Sequence, residues 1–371
     1  MSDSVNSNSA KPHQDDLNTI YCGLNYPLGR EFAPETSQPY KIADGVYWLR
    51  MALPMKLDHI NLWLLEDGDG WTIVDTCMNM DDAKAAWQQL FSGFMQNKPV
   101  KRVICTHMHP DHAGLAGWLC EQHNCGLWMS RQEYLMCKNL TSYTGLEAPK
   151  TAIDFLVGAG MESEYIEQYK SRFGYFGKMV SPLPDSYRRI IDGETFEING
   201  HYWQALATSG HSPEHISLYC PALKLIISGD QILPRITPNV SIFPNEPHND
   251  SLTEWLHGLE RLRKILPDNL LVLPSHQQPF MGVRTRLTQI IESHDEGLDA
   301  LYQLIATPKR VVDCFPALFK NPVTDSTLNL AAGETLAHLN CLIARKMASF
   351  EQDENGVNWY RQVPEAKQFE R

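Results

Sequence analysis

The seven residues Thr106-His107-Met108-His109-Pro110-Asp111-His112 constrain this chain more than any other stretch. They follow an apolar run, residues 100–105, and four of the seven are metal-ligand types. Three imidazoles and a carboxylate this close together are awkward to bury, because each needs a hydrogen-bond partner or a shifted charge state, and a bound cation meets that need for all of them at once. The alternative is a solvated, His-rich surface loop. The two readings part on whether other segments deliver further ligands to the same place.

Turn signals and strand-forming residues predict strands over 46–49, 60–65 and 71–74, and the last runs into Asp75. Asp75 either presents a carboxylate at a strand end or caps the helix that follows. Ala83, Ala86, Trp87, Leu90 and Phe94 predict a helix over 81–96, so residues 100–105 become the next strand after a crossover. A helix over 113–119 and a strand over 126–129 follow. Further on, the Asn199-Gly200 step predicts a hairpin between 195–198 and 202–207, which leads to Gly210-His211. Predicted strands over 216–219, 223–228 and 270–273 come next; the second ends in Gly229-Asp230 and the third in Pro274-Ser275-His276. Five strand ends therefore carry Asp75, the 107–112 group, His211, Asp230 and His276, and a single site on one rim of a sheet accounts for all five.

An Asp after an early strand, His-x-His-x-Asp-His, a His in a Gly-His turn, an Asp and a final His together resemble the metallo-β-lactamase superfamily, over residues 45 to about 280. The resemblance implies an α/β fold, the αββα sandwich, with the site on one edge between two sheets. Carried over position by position, it implies that His107, His109 and His211 hold one ion, that Asp111, His112 and His276 hold a second, and that Asp230 bridges them. Asp111, Asp230 and Asp75 are the candidate catalytic carboxylates, with Asp75 orienting the metal loop. Such ligands suit two divalent ions, zinc first and also iron or manganese. Two ions sharing a hydroxide would present a nucleophile at neutral pH. Of the remaining histidines, His59 and His215 lie nearest this set.

The 371 residues, 43% hydrophobic and 20% charged, fit a catalytic domain over 39–283 with a helical insertion over about 130–185. A leader over 1–38 reads as flexible or surface-wrapped, and a small, mostly helical domain follows over 284–371. That last segment resembles the winged-helix-like tail of a family branch that includes RNA endonucleases. It carries ten Lys and Arg against twelve Asp and Glu, in a chain of net charge −12, whereas nucleic-acid binding requires a basic footprint. The expectation is a small-molecule substrate, no nucleic acid, and a tail with an interface role, such as that of a homodimer, or a structural one. The Tyr and Met residues of the insertion read as packing rather than ligand contacts.

Nine scattered cysteines without a C-x-x-C pair suggest reduced thiols. Residues 1–20 show no secretory pattern, and no apolar run reaches membrane-spanning length, so a cytoplasmic protein without membrane attachment is expected. The expected activity is hydrolysis of a thioester, ester or lactone, similar to glyoxalase II. A phosphodiesterase or RNA endonuclease is the second reading. An iron-dependent sulfur dioxygenase and a β-lactamase come after it; the usual zinc β-lactamases carry Cys where this chain has Asp230.

Overall fold

Alternation along the early strands dictates the layering. In Val46–Ala52, Val46 and Trp48 face one way while Leu49 and Met51 face the other; in His59–Asp67, Trp63 and Leu65 oppose Ile60, Leu62 and Leu64. All are buried, and a strand apolar on both faces needs a cover on each. The computed structural model, which describes residues 11–12, 16–36 and 38–363, supplies both covers.

The first sheet runs, in spatial order, Tyr40–Ala43, Val46–Ala52, His59–Asp67, Gly70–Val74, Val100–Ile104, Gly126–Met129 and Arg188–Arg189. Its first three pairings are antiparallel and its last three parallel. The second runs Thr19–Tyr21, Leu24–Tyr26, Phe280–Met281, Leu271–Pro274, Leu225–Gly229, His215–Cys220, His201–Thr208 and Thr195–Ile198, antiparallel except between Leu225–Gly229 and Leu271–Pro274. Trp48, Trp63, Ile104, Trp203, Ile216 and Ile227 pack between the sheets. Helices Asp81–Ser92 and Ala116–His123 cover the outer face of the first sheet through Trp87, Leu90 and Leu119. Ser251–Ile265 and Val283–Leu304 cover the second through Trp255, Leu259, Leu287 and Ile290. The result is the expected order of helix, sheet, sheet and helix.

In each sheet a parallel pair brings two ligand-bearing strand ends side by side: Gly70–Val74 with Val100–Ile104, and Leu225–Gly229 with Leu271–Pro274. The sheets are tied together at that edge, where Asn61 N–H donates to Ser275 O at 2.6 Å and Ile216 N–H to Thr106 O at 2.8 Å.

The packing bears on both ends of the chain. Leu24–Tyr26 belongs to the second sheet, paired with Phe280–Met281, and Leu24 and Tyr26 are fully buried. The described part of the segment read as a leader is therefore integral to the sandwich; three-residue strands are too short to declare themselves by alternation. Residues 1–10, 13–15 and 37 of that segment, and 364–371 at the other end, lie outside the described residues. The C-terminal helices and the hairpin Ala348–Gln352 with Asn358–Gln362 form as expected. Their Leu298, Leu336, Leu339 and Tyr360 share one cluster with Trp255 and Phe280 of the sandwich. A boundary at 283/284 falls where the helix Val283–Leu304 begins, and the first half of that helix is part of the sandwich wall.

The insertion contains the helices Arg131–Ser142, Lys150–Gly158, Ser163–Arg172 and Phe176–Met179. Its first helix packs with the first sheet's helices through Tyr134 and Cys137, while Leu156 and Ile166 join the C-terminal cluster, so it bridges the two halves. Among the described residues no helix is long and apolar enough to cross a membrane. All nine cysteines are free.

Candidate metal centre

Strand Gly70–Val74 delivers Asp75 fully buried and with φ of 61°, a left-handed turn that carries the chain out of the sheet. The next helix starts only at Asp81, so Asp75 does not cap it. Its carboxylate instead accepts from Thr106 N–H at 2.8 Å, Thr106 Oγ1 at 2.9 Å and His112 Nδ1 at 2.8 Å. Pro110 then opens the short helix Pro110–Ala113; its fixed φ suits a first helical turn, which folds Asp111 and His112 back towards the sheet edge.

Every residue expected at the site from the sequence converges there. His107, His109 and His211 form one group able to hold an ion, Asp111, His112 and His276 a second, and His107, His112 and Asp230 a third that overlaps both. His107 Nε2 lies 2.8 Å from His109 Nδ1 and 3.3 Å from His211 Nε2. His276 Nε2 and His112 Nε2 lie 3.4 and 3.6 Å from Asp111 Oδ2. Asp230 spans the groups: Oδ2 is 3.5 Å from His211 Nε2, and Oδ1 is 3.5 Å from both His112 Nε2 and His276 Nε2.

Four of the five imidazoles are anchored through the nitrogen that faces away from the centre. His107 Nδ1 meets Thr106 Oγ1 at 3.0 Å, His112 Nδ1 meets Asp75, His211 Nδ1 meets Asn239 O at 2.7 Å, and His276 Nδ1 meets His59 O at 2.8 Å. Such contacts fix the tautomer and leave Nε2 with its lone pair directed inward. Two inward atoms, His112 Nε2 and Asp230 Oδ1, are buried without a hydrogen-bond partner among the described residues. Orphaned donors and acceptors are costly, and a cation between them would satisfy both.

The electrostatics fit the same ligand. Burial, reinforced by neighbouring imidazoles, holds His107 well below the usual histidine range, and burial together with His211 lowers His109 to about 3, so both are neutral, as ligands must be. Around His112 and His276 burial also acts downward, but carboxylates outweigh it. Asp111, Asp230 and Asp75 hold His112 well above its ordinary value, and Asp230 with Asp111 raises His276 to about 10. This half of the centre is a paired-carboxylate field that favours positive charge.

Sequence reading missed two supports, Glu133 and Asn239, and placed a third, His59, near the site without its role. Glu133, fully buried on helix Arg131–Ser142, accepts from Met108 N–H at 2.8 Å, Ser212 Oγ at 2.7 Å and Glu214 N–H at 2.7 Å, tying the 107–109 loop to the His211 turn. Asn239 supplies the carbonyl for His211, and its side chain donates to Glu334 Oε2 at 2.8 Å on helix Leu328–Ala344. His59 acts through its carbonyl, while its ring Nε2 accepts from Gln277 N–H at 2.8 Å. His215, also near the site, accepts from Asp230 N–H at 3.1 Å; neither His59 nor His215 belongs to an ion-holding group. One local signal was available: a Cβ at Gly210 would run into Trp255, and one at Gly229 into His215, so the residues before His211 and Asp230 must be small.

The packing reading of the insertion holds for Tyr134 and Met161, which are buried in apolar clusters. Met136 and Tyr169 also pack against those clusters, and together with Tyr143 they line a cavity of about 330 Å³ that reaches Met108 and His211. Helical spacing reports an apolar face without saying whether protein or ligand covers it.

The sequence profile of the Metallo-beta-lactamase superfamily matches residues 55–276. The chain belongs to that superfamily. A second profile, Metallo-beta-lactamase-like, C-terminal domain, matches residues 298–363. A β-lactamase domain protein from Burkholderia ambifaria, known from its crystal structure, is 37% identical with a TM-score of 0.85, covering 92% of this chain and 98% of that one. A probable metallo-hydrolase of Bacillus subtilis, YqjP, is 23% identical over 327 residues, covering 85% of this chain and 97% of its own length. A linear primary-alkylsulfatase of a Pseudomonas strain is 24% identical over 238 residues, 62% of this chain, and the match spans only 43% of the sulfatase.

Proposed function

We propose that this superfamily member is a metallo-hydrolase that holds two divalent ions, zinc foremost, and cleaves an ester, thioester or lactone of a small molecule. The observation that carries the reading is Asp230, with one oxygen 3.5 Å from His211 and the other 3.5 Å from His112 and His276. In this reading His107, His109 and His211 hold one ion, Asp111, His112 and His276 the other, and Asp230 both. Bound there, the ions would supply an activated water nucleophile and electrophilic stabilisation of the developing oxyanion.

The chain's own residues do the positioning. Asp75, Thr106, the Asn239 carbonyl and the His59 carbonyl keep four imidazoles in the ligating tautomer. Glu133 keeps the two loops that carry the first three histidines at a fixed separation. The adjoining cavity, lined chiefly by apolar side chains and by no Lys or Arg among the described residues, supports a small organic substrate over a polyanion. A sulfate ester is the second reading, favoured by the likeness to an alkylsulfatase.

The test is metal analysis of purified protein together with a panel of thioester, ester, lactone, β-lactam, phosphodiester and alkyl sulfate substrates. Two ions per chain and turnover of an acyl substrate are expected, and Asp230→Ala and His112→Ala lose both metal and turnover. Full activity with unchanged metal in both variants overturns the binuclear reading. Turnover confined to alkyl sulfates selects the second one.

A further inference from the structure

The cavity beside His211 is assembled largely from parts of the chain that carry no candidate metal ligand. The insertion gives Tyr143, Phe155 and Tyr169; the C-terminal helix gives Leu330; and the stretch 241–246 between them gives Phe243. It is continuous with the centre through Met108 and His211. Among the described residues the only Asp, Glu, Lys or Arg in its lining are Glu246 and Glu254, both exposed.

We propose that this cavity is the substrate's tail subsite, and that it selects an uncharged apolar chain attached to the bond held at the metal centre. The inference rests on the hydrolase reading and narrows it. Aromatic and aliphatic walls reward burial of methylene groups. A chain ending in carboxylate, sulfate or phosphate would meet the exposed carboxylates of Glu246 and Glu254 with no Lys or Arg of the lining to pair with, and like charges repel. Selection by repulsion of this kind sets specificity as much as attraction does. The C-terminal segment thereby acquires a role at the site, as the far wall of the tail subsite.

Two readouts test this, one of them independent of turnover. Nile red, a neutral dye, is titrated into the full-length protein and displaced with decanol. The same protein, loaded with zinc, is assayed on acetyl, butanoyl, octanoyl and decanoyl thioesters and on an octanoyl analogue bearing a terminal carboxylate. Wild type is expected to bind decanol, to gain up to about fourfold in kcat/KM per added methylene, and to discriminate at least tenfold against the terminal carboxylate. Leu330→Arg places a cation in the lining at a half-exposed helical position that folding tolerates (52% exposed). It is expected to weaken decanol binding, flatten the chain-length series and narrow the carboxylate discrimination. Thr151→Trp, on the exposed face of a helix bordering the same space, is the steric counterpart and should weaken decanol binding without altering charge selection.

Turnover that ignores chain length and terminal charge, with decanol binding absent or untouched by both variants, overturns the subsite while leaving the hydrolase reading in place. Decanol binding that both variants weaken, with no thioester turned over, upholds the subsite and overturns the thioesterase form of the hydrolase reading.

Discussion

Glu133→Gln is the most informative single change, because it swaps one atom in a carboxylate that no metal would touch. Glu133 Oε1 accepts from Ser212 Oγ and Glu214 N–H, both at 2.7 Å, and Oε2 accepts from Met108 N–H at 2.8 Å. A glutamine has one acceptor oxygen. Its better orientation keeps the two bonds of the His211 turn and turns the amide NH2 against the Met108 N–H. One charge-assisted bond, about 1.5–3 kcal/mol, is lost, and a buried backbone donor is orphaned. The variant should unfold a few degrees lower, by roughly 2–4 °C for a chain of this size. The freed N–H lies between His107 and His109, so zinc affinity should fall about 10- to 100-fold, the usual effect of removing an outer support. Thermal unfolding of the metal-free protein reads the first effect, and zinc titration against a competing chelator reads the second. Glu133→Ala opens a hole as well and is the harsher control. If Glu133→Gln unfolds and binds zinc like wild type, the tie between the two loops is not what holds them, and the argument fails.

Asp75→Asn keeps the shape of the turn but replaces the oxygen that fixes His112 Nδ1–H, 2.8 Å away. Bound metal should drop towards one ion per chain with the fold intact by circular dichroism; two ions at wild-type affinity would refute the orienting role. For Glu334 the sign runs the other way from an ordinary salt-bridged acid: burial raises its carboxyl from 4.5 to about 7, so the folded protein holds the proton more tightly than the unfolded chain. Its contribution is most favourable below the unfolded value and is lost as pH rises through 7. Glu334→Gln can still accept from Asn239 and stays neutral, so its stability relative to wild type should rise from about pH 5 to about pH 8. Denaturant unfolding at both pH values checks this, and a pH-independent difference would refute it.

The candidate ligand set was legible because strand ends are loud in sequence. Each of Asp75, His107, His211, Asp230 and His276 follows an apolar run, and the sandwich needs those runs buried whatever else it does. Glu133 was illegible for the opposite reason. It sits on a helix between Gln132 and Tyr134 and reads as an ordinary solvated position; its burial is decided by the His211 turn, eighty residues later, folding down onto it. Leu24–Tyr26 escaped notice because three residues cannot show a period, and its pairing partner Phe280–Met281 is two residues long.

The C-terminal segment, although matched by a domain profile of its own, is tied to the candidate metal centre. Helix Leu328–Ala344 sits in the same core cluster as the helix wall of the second sheet, and it reaches the centre by a single step. Glu334 Oε2 and Leu330 O accept from Asn239 Nδ2, Ser241 Oγ donates to Asn239 Oδ1, and the Asn239 carbonyl takes the Nδ1–H of His211. The one imidazole that the early half of the chain does not supply to the first group is therefore held in register from the far end of the sequence. The same helix places Leu330 in the cavity wall, so what orients His211 and what shapes the proposed tail subsite lie on one element. A change in this helix should then alter metal affinity and chain selectivity together, whereas a separately folded appendage would alter neither.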